Sequence, residues 1–423
     1  MGTDRMDALS VLRWLTKNPI LLAIFAVFCA WPVGYGLWHM FTHHAWMLMD
    51  IDAVVCGAKT LASNHSPYAI HPPSCDGNRP AAYVYAPQVA RLFIPFIQAF
   101  GSLGTRNLFV WVLLAPATVF LLWFALIKPF PRIDIRYRLL AFASLTSMTF
   151  VCANVGIVMH ALVLASLLLF PKTRWPFTIV VLACACVKPT FLTYFVFFLL
   201  ADEALWRRAF AFSWRAVAGV GLAYLMVLTD GHYGRAWQKT LHSVTMARQV
   251  GMGWFELTNF VFHVPGPSHL NVELALGFMI VMTLAGMAIA QWGGLDRDER
   301  LVLGMGLVPL MTPRLLDYDM VLIVPYAALI MMCAQRLSSS FGGGKVLGAV
   351  LSWIFTGWLV WGIITNITGD PRWHRTPFDM LLFGLLTGIT GLIALVYRLS
   401  GKASASDTAP RTDNTAESPP IPS

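Results

Sequence analysis

The segment ILLAIFAVFCAWPVGYGLWHMFT, residues 20–42, contains no Asp, Glu, Lys or Arg. About 20 consecutive apolar residues in a helix cross the hydrocarbon core of a bilayer, so this segment predicts a transmembrane helix. Apolar runs recur as far as Leu399, and the 423-residue chain is 57% hydrophobic and only 12% charged. Soluble domains carry about twice that share of charged residues. The sequence therefore predicts an all-α polytopic membrane protein, since its apolar runs lack the alternation of barrel strands.

The apolar runs predict about twelve transmembrane helices. They lie near 20–42, 105–128, 138–153, 157–170, 176–188, 190–206, 211–229, 272–292, 300–312, 319–335, 346–366 and 378–398. The two runs that flank Lys188-Pro189 also fit a single broken helix, because proline interrupts an α-helix. These runs predict one membrane domain over residues 1–402, followed by a polar, Pro- and Ser-rich tail, 403–423, which we expect to be disordered and cytoplasmic.

Basic residues set the expected orientation. With the N-terminus inside, most of the 30 Lys and Arg residues fall on the cytoplasmic side. This bias accounts for the net charge of +9. A nucleic-acid partner is not expected, because the sequence has no basic run with interleaved aromatic residues. Two long segments, 43–104 and 230–271, then face the outside of a bacterial inner membrane, and we expect interfacial helices within them.

Two acids follow the first predicted span directly. Asp50 and Asp52 lie in MDIDAVVCGAKTLASNHSPY, residues 49–68, and a second block, YVYAPQVARLFIPF, occupies residues 83–96. A carboxylate at this position is often a solvated residue at a helix end. The alternative is a catalytic carboxylate at the membrane surface, and the residues around it favour that alternative.

These two blocks resemble the first outer loop of the polyprenyl-phosphate-mannose-dependent glycosyltransferases of family 87. That family includes the alpha-mannosyltransferases that build phosphatidylinositol mannosides. Asp50, Pro67-Tyr68 and Tyr85-Ala86-Pro87 occupy the positions of the family pattern. Val54 replaces the tyrosine that usually follows the Asp, and Ala86 replaces one proline of a pair.

Three later blocks resemble the same family in the same order along the chain. NVGIVMHALVLASLLL, residues 154–169, contains His160, and VKPTFLTYFVFFLL, residues 187–200, contains Lys188. In MTPRLLDYDMVLIVP, residues 311–325, Asp317 fits the family block, whereas Tyr318 and Asp319 stand where the family has two histidines. The changed histidines affect the expected identity of the substrate most.

The resemblance implies a C-class glycosyltransferase fold in which Asp50 is the general base of an inverting sugar transfer. The leaving group, a lipid phosphate, is stable as an anion, so one base that removes the acceptor proton is sufficient. Asp52 is the alternative acid, although on a helix it would point elsewhere. From their places in the matched blocks we expect substrate contacts from Tyr68, Tyr85, His160, Asp317 and Asp319.

Basic residues at predicted outer helix ends are candidates to bind the donor phosphate. Lys188 interrupts an apolar stretch, where a cation is costly without an anionic partner. Arg314 lies beside a helix start, which favours anions. Arg248 and His242, in the second outer segment, are further candidates for substrate contact. The histidines show no metal-ligand spacing, so we expect neither a metal nor another cofactor.

The sequence thus predicts a multi-pass glycosyltransferase that moves a sugar, with mannose expected, from a polyprenyl-phosphate donor to a lipid-linked or glycan acceptor on the periplasmic side. The expected partners are these two substrates and the membrane lipids, and a monomer is the default state. The alternative is a secondary transporter or lipid flippase, since about twelve spans suit either class. Transporters place ionisable residues at the middle of the membrane in broken helices, whereas here the acids lie at predicted outer ends.

Overall fold

The computed structural model describes residues 7–43, 48–68, 83–128, 132–170, 173–246, 254, 258, 269–312, 317–341, 344–368 and 376–400. Within these residues the regular elements are helices and no strand occurs. Seven helices in the described part of the chain are long and apolar enough to span a membrane. They are Pro19–Thr42, Pro87–Ile127, Leu205–Thr229, His269–Trp292, Asp319–Ser338, Gly344–Thr365 and Asp379–Leu399. The predicted class, an all-α polytopic membrane protein, is confirmed.

Ten α-helices are described in the first half of the chain, which carries most of the residues of the candidate site. In order they are α1 (Ala8–Leu15), α2 (Pro19–His43), α3 (Met49–Ala62), α4 (Pro87–Leu108), α5 (Ala115–Leu122), α6 (Ile135–Phe142), α7 (Met148–Val151), α8 (Val155–Leu168), α9 (Trp175–Val187) and α10 (Val196–Leu199). Two π-helical turns, Phe109–Leu114 and Trp123–Ile127, extend α4 and α5. A 3₁₀-helix, Pro189–Phe195, joins α9 to α10.

The helices of the second half form most of the remaining bundle. They are α11 (Leu205–Thr229), α12 (Gly231–Met246), α13 (His269–Trp292), α14 (Arg297–Met311), α15 (Ile323–Ser338), α16 (Gly344–Thr368) and α17 (Thr376–Leu399). A second 3₁₀-helix, Asp317–Leu322, precedes α15.

The central element is α15, which packs against α6, α14, α16 and α17. Nearly all of its side chains are buried, as expected for a helix that is apolar on every face. Gly306 of α14 lets this helix pack closely on α15, because a Cβ atom there would lie only 2.1 Å from the Cβ of Tyr326. By contrast, α2, α11 and α13 expose many large apolar side chains, as helices facing lipid do.

Charged residues join several elements at one end of the bundle. Arg13 of α1 pairs with Asp134 at 2.9 Å, and Lys128 pairs with Asp298 at 3.3 Å. Arg336, near the end of α15, lies 3.7 Å from the buried Glu299. Arg13, Lys128 and Arg336, all expected from the sequence to be cytoplasmic, therefore lie on segments joined by these ion pairs. The 3₁₀-helix before α15 lies at the other end of α15 from Arg336. At 1.5 Å per residue the two ends of α15 are about 24 Å apart.

Two predicted helices are interrupted. The predicted helix 138–153 is wrong as a continuous element, because α6 ends at Phe142 and α7 begins only at Met148. The intervening segment is rich in Ser and Thr, and Ser144 Oγ donates to the carbonyl of Ala141, a local bond that competes with helix continuation. The predicted helix 190–206 begins as a 3₁₀-helix and ends at Leu199.

The five predicted spans outside the group of seven correspond to shorter elements. Among them, α8, α9 and α14 have 14, 13 and 15 residues. At 1.5 Å per residue such helices are about 20–22 Å long, less than the ~30 Å hydrocarbon core.

The two predicted outer segments contain helices that contact each other. In α4, Gly101 has φ 67° and ψ 176°, so a kink separates residues 87–100 from the long apolar part of the helix. Arg91 of α4 forms an ion pair with Asp230 at the start of α12. Trp237 of α12 is buried and its Nε1 donates to the carbonyl of Val84 at 3.2 Å. The tail 403–423 lies outside the described residues.

Candidate active site

The start of α3 is fixed to the segment that precedes α8. The backbone N–H of Leu48 donates to the carbonyl of Val151 at 2.7 Å, and that of Asp50 donates to the carbonyl of Cys152 at 3.0 Å. These two bonds bring Asp50 next to Asn154, the residue that caps α8. Asp50, in the first turn of α3, is therefore positioned by backbone contacts as well as by its own helix.

Asn154 connects α8 to the Asp50 carboxylate. Its Oδ1 accepts from the N–H of Gly156 at 2.6 Å, which is the N-cap bond of α8. Its Nδ2 donates to Asp50 Oδ2 at 2.8 Å and lies 3.4 Å from Tyr85 Oη. Because the cap uses the oxygen, the amide nitrogen must face the carboxylate.

Two residues in the left-handed region flank this contact. Leu48 has φ 60° and Ala153 has φ 53°, and neither is glycine or asparagine. A conformation of this kind costs a non-glycine residue about 1–3 kcal/mol and persists only where surrounding contacts impose it. Backbone strain is thus concentrated on both sides of the Asp50–Asn154 hydrogen bond, a pattern that marks many functional sites.

The environment of Asp50 favours its protonated form. Burial raises the pKa of the Asp50 carboxyl above its ordinary value, and the negative charge of Asp319 acts in the same direction. The Asn154 hydrogen bond and the positive charge of Lys188 oppose this effect without cancelling it. A carboxylate with a raised pKa is a stronger base than one in water.

Lys188 lies at a break between two helices. α9 ends at Val187, Lys188 has φ −144° and ψ 102°, and the 3₁₀-helix begins at Pro189. Proline removes a backbone donor and keeps the preceding residue extended, so the sequence Lys-Pro produces the break. Lys188 is partly buried, and its ammonium is close enough to act on the charge of Asp50.

A buried chain of hydrogen bonds lies beside these charges. His160 Nδ1 is 2.5 Å from Tyr194 Oη, and His160 Nε2 is 2.7 Å from Asp319 Oδ1. His160 and Asp319 are each only 4% exposed. Both ring nitrogens of His160 are therefore occupied by protein groups.

A group of tyrosines covers the other side of the site. Tyr68, Tyr83 and Tyr85 contact one another with ring centroids 5.5 and 5.8 Å apart, and Tyr68 Oη donates to the carbonyl of Tyr85 at 2.9 Å. Gly57 of α3 makes room for this group, since a Cβ atom there would lie 2.5 Å from the Tyr83 ring. Burial raises the pKa of Tyr85 well above its ordinary value, so its hydroxyl stays protonated.

Several predicted site residues lie together. Asp50 and Tyr85 both contact Asn154. The charges of Lys188 and Asp319 both act on the pKa of Asp50, and His160 is hydrogen-bonded to Asp319. We call the set Asp50, Tyr85, Asn154, His160, Lys188, Tyr194 and Asp319 the polar cluster. Its members come from positions far apart in the sequence.

Other predicted residues lie elsewhere. Asp52 faces away from the cluster and pairs with Arg106 at 3.1 Å, and Tyr68 contacts the cluster through the Tyr85 backbone. His242 is exposed on α12, and no contact among the described residues joins it to the cluster. Arg248, Arg314 and the side chain of Asp317 are outside the described part of the structure.

Sequence reasoning missed Tyr194 and the role of Asn154. Tyr194 lies within an aromatic, apolar run that gives no polar signal. Asn154 carries one recognisable signal, since an asparagine just before an apolar helical run predicts an N-cap.

Cysteines and metal ligands add little to the site. Cys56 of α3 takes part in a disulfide, and the other described cysteines are thiols outside any disulfide. The remaining cysteine, Cys75, is outside the described residues. Among the described side chains, no group of three or more His, Cys, Asp or Glu residues is arranged to hold a metal ion.

Comparisons with known proteins assign no family. No family model matches the chain, no curated protein matches it, and no solved structure matches it. The established class is therefore a helical membrane protein with a polar cluster near one end of its bundle.

Proposed function

We propose that this protein is an inverting membrane glycosyltransferase that takes a sugar from a polyprenyl-phosphate donor. The observation that carries the proposal is the environment of Asp50. This carboxylate is oriented by Asn154, made more basic by burial, and placed within electrostatic reach of Lys188. A base beside a cation suits a reaction in which an alcohol loses a proton while a phosphate leaves.

In the proposed reaction the acceptor hydroxyl oxygen attacks the anomeric carbon of the donor sugar. Its proton passes to the Asp50 carboxylate as the new C–O bond forms, and the bond between the anomeric carbon and the phosphate oxygen breaks. The phosphate leaves with the bonding electrons. A base weaker than an alkoxide is adequate, because the hydroxyl becomes acidic only as its oxygen bonds to carbon.

Lys188 is the proposed contact for the donor phosphate. Lys188 lies where α9 ends, and its positive charge acts on Asp50, so a phosphate bound by its ammonium would lie close to the proposed base. Arg314 remains a second candidate for the same phosphate.

The finer architecture is part of the proposal. The C-class fold would use the five shorter elements as additional spans, for about twelve in all, with the polar cluster open to the periplasmic side of a bacterial inner membrane. The resemblance of the sequence to the polyprenyl-phosphate-mannose-dependent transferases supports mannose as the sugar and a lipid-linked or glycan acceptor.

One observation favours a second candidate, a secondary transporter or lipid flippase. His160 and Asp319 form a buried ionisable pair, and the segments around them are interrupted by two 3₁₀-helices. Transporters often place ionisable residues in broken helices. The enzyme remains the first candidate, because the strained backbone and the oriented Asp50 carboxylate suit catalysis better than ion release.

The test is turnover of a radiolabelled polyprenyl-phosphate sugar by the full-length protein in detergent. We expect Asp50→Asn to abolish sugar transfer while the protein stays monodisperse. Asp52→Asn is the matched control, since it makes the same change two residues away in a group that pairs with Arg106. Sealed vesicles that transport substrate after Asp50→Asn would favour the second candidate.

A second variant tests the phosphate contact. Lys188→Gln removes the charge and keeps most of the side-chain length, so we expect the apparent KM for the donor to rise. An apparent donor affinity equal to that of the wild type would contradict this role.

A further inference from the structure

Three interrupted elements meet at the polar cluster, and each brings one group of the proposed site. Asn154, the N-cap of α8, holds Asp50. The first 3₁₀-helix begins directly after Lys188, and the second contains Asp319 and packs against α7 and α8. The distance between Asp50 and Lys188 therefore depends on how these elements are held relative to one another.

Local structure does not fix the two 3₁₀-helices. Hydrogen bonds of a 3₁₀-helix have poorer geometry than those of an α-helix, and runs of more than a few residues are uncommon. The first of them, Pro189–Phe195, has no side-chain cap at its N-terminus. Contacts with other elements must keep it in place.

The hydrogen-bond chain through His160 supplies such contacts. His160, on α8, bonds Tyr194 of the first 3₁₀-helix and Asp319 of the second. The His160 ring also packs on Phe191, with ring centroids 4.8 Å apart. One side chain thus ties together the three elements that carry Asn154, Lys188 and Asp319.

Both nitrogens of the His160 ring are hydrogen-bonded to protein groups. A neutral imidazole accepts from the Tyr194 hydroxyl at Nδ1 and donates from Nε2 to Asp319, and a protonated ring donates at both positions. Either state satisfies every polar atom of the ring. With 4% of its surface exposed, His160 is not placed to touch a substrate.

We propose that the Tyr194–His160–Asp319 chain positions Lys188 opposite Asp50 and so sets the geometry of donor and base. The inference rests on the proposed transferase function and assigns His160 a positioning role rather than the substrate contact expected from sequence. Buried polar networks often add little net stability compared with apolar packing. What they do supply is one defined arrangement, since every member must find its partner.

The test uses three conservative variants and one matched control. Tyr194→Phe removes one hydroxyl, His160→Gln keeps an amide near the Nε2 position, and Asp319→Asn removes one charge. Tyr326→Phe is the control, because Tyr326 is also fully buried and its hydroxyl lies 2.5 Å from Thr387 Oγ1, between α15 and α17. All four changes preserve side-chain volume closely.

We expect Tyr194→Phe to lower kcat by about tenfold, the order expected from one buried hydrogen bond. His160→Gln should lower kcat at least as much. Tyr326→Phe should change the thermal midpoint as much as Tyr194→Phe but leave kcat unchanged.

The pH profile separates positioning from a general loss of folding. The groups that face Asp50 are Asn154, Cys152, Lys188 and Asp319, with Tyr85 on the same side. Because the charge of Asp319 raises the pKa of Asp50, Asp319→Asn should move the acid limb of kcat/KM to lower pH. His160→Gln retains the Asp319 charge but should displace Lys188, whose charge lowers the pKa of Asp50, so it should move that limb to higher pH.

Two outcomes would overturn the inference in distinguishable ways. If the wild type transfers sugar and Asp50→Asn does not, but all three chain variants keep wild-type kcat, the positioning role fails and the proposed function stands. If the wild type does not turn over the polyprenyl-phosphate sugar at all, the proposed function fails and the positioning role falls with it.

Discussion

Asn154 has two structural roles, and one pair of substitutions can separate them. Its oxygen caps α8 through the N–H of Gly156, and its nitrogen donates to Asp50. Asn154→Ser keeps a good N-cap but is too short to reach the carboxylate. Asn154→Ala removes both contacts.

The two hydrogen bonds of Asn154 determine how far activity and stability should fall in these variants. A hydrogen bond to a charged group contributes about 1.5–3 kcal/mol, which corresponds to about 10- to 150-fold in rate if it acts in the transition state. Loss of an N-cap costs about 1 kcal/mol of stability. We therefore expect kcat/KM to fall by 10- to 150-fold in both variants, and the thermal midpoint to fall further in Asn154→Ala than in Asn154→Ser.

The direction of the pH effect is also fixed. The Asn154 hydrogen bond lowers the pKa of Asp50, so its loss raises that pKa and leaves less of the base ionised. The acid limb of kcat/KM should move to higher pH in Asn154→Ser, and further in Asn154→Asp, where a second carboxylate faces Asp50. The assay is transfer from a labelled polyprenyl-phosphate sugar across pH, with tryptophan fluorescence for unfolding. Wild-type kcat/KM and an unmoved acid limb in Asn154→Ser would refute the reasoning.

Three further predictions concern stability. Burial raises the pKa of Asp50 in the folded state, so the ionised carboxylate destabilises the fold at neutral pH. Asp50→Asn should therefore raise the thermal midpoint at pH 7.5. The difference from the wild type should shrink at lower pH, where the wild-type carboxyl becomes protonated. Ala153→Val puts a β-branched residue at φ 53° and should lower the free energy of unfolding by about 2 kcal/mol or more. The control is Ala161→Val, which makes the same change in the regular helix α8 and should cost less. Equal thermal midpoints for the two variants would contradict the backbone strain at Ala153. Asp52→Asn breaks a partly exposed pair with Arg106 and should change stability by about 1 kcal/mol or less, measured by the same unfolding assay, with sugar transfer retained.

The sequence predicted the membrane class and the position of most helices, because apolar runs of this length occur mainly in membrane-spanning helices. It failed where polar side chains compete with the backbone, as at Ser144 between α6 and α7. It also could not distinguish long spans from short buried helices such as α14. An apolar run satisfies both, and only packing decides which one forms.

Part of the candidate site was predictable for a related reason. Asp50 and Lys188 stand out because charged residues in apolar surroundings need an explanation. The pairing of His160 with Asp319 joins residues 159 positions apart, and neither residue carries a sequence signal for the other. The same holds for Arg106, which separates Asp52 from Asp50 by binding one of them.

The location of the polar cluster follows from the ends of helices. A helix end leaves backbone N–H or C=O groups without partners, and in apolar surroundings these must be met by side chains or by a ligand. Asn154 caps the start of α8, α9 ends before Lys188, and α15 begins after the 3₁₀-helix that contains Asp319. Each interruption therefore requires polar groups, and the fold brings the three interruptions together. At α8 a single residue meets both requirements, because the Asn154 oxygen caps the helix and its amide nitrogen orients Asp50. Lys188 and Asp319 instead act on Asp50 through their charges, so the three interruptions together set the environment of that carboxylate.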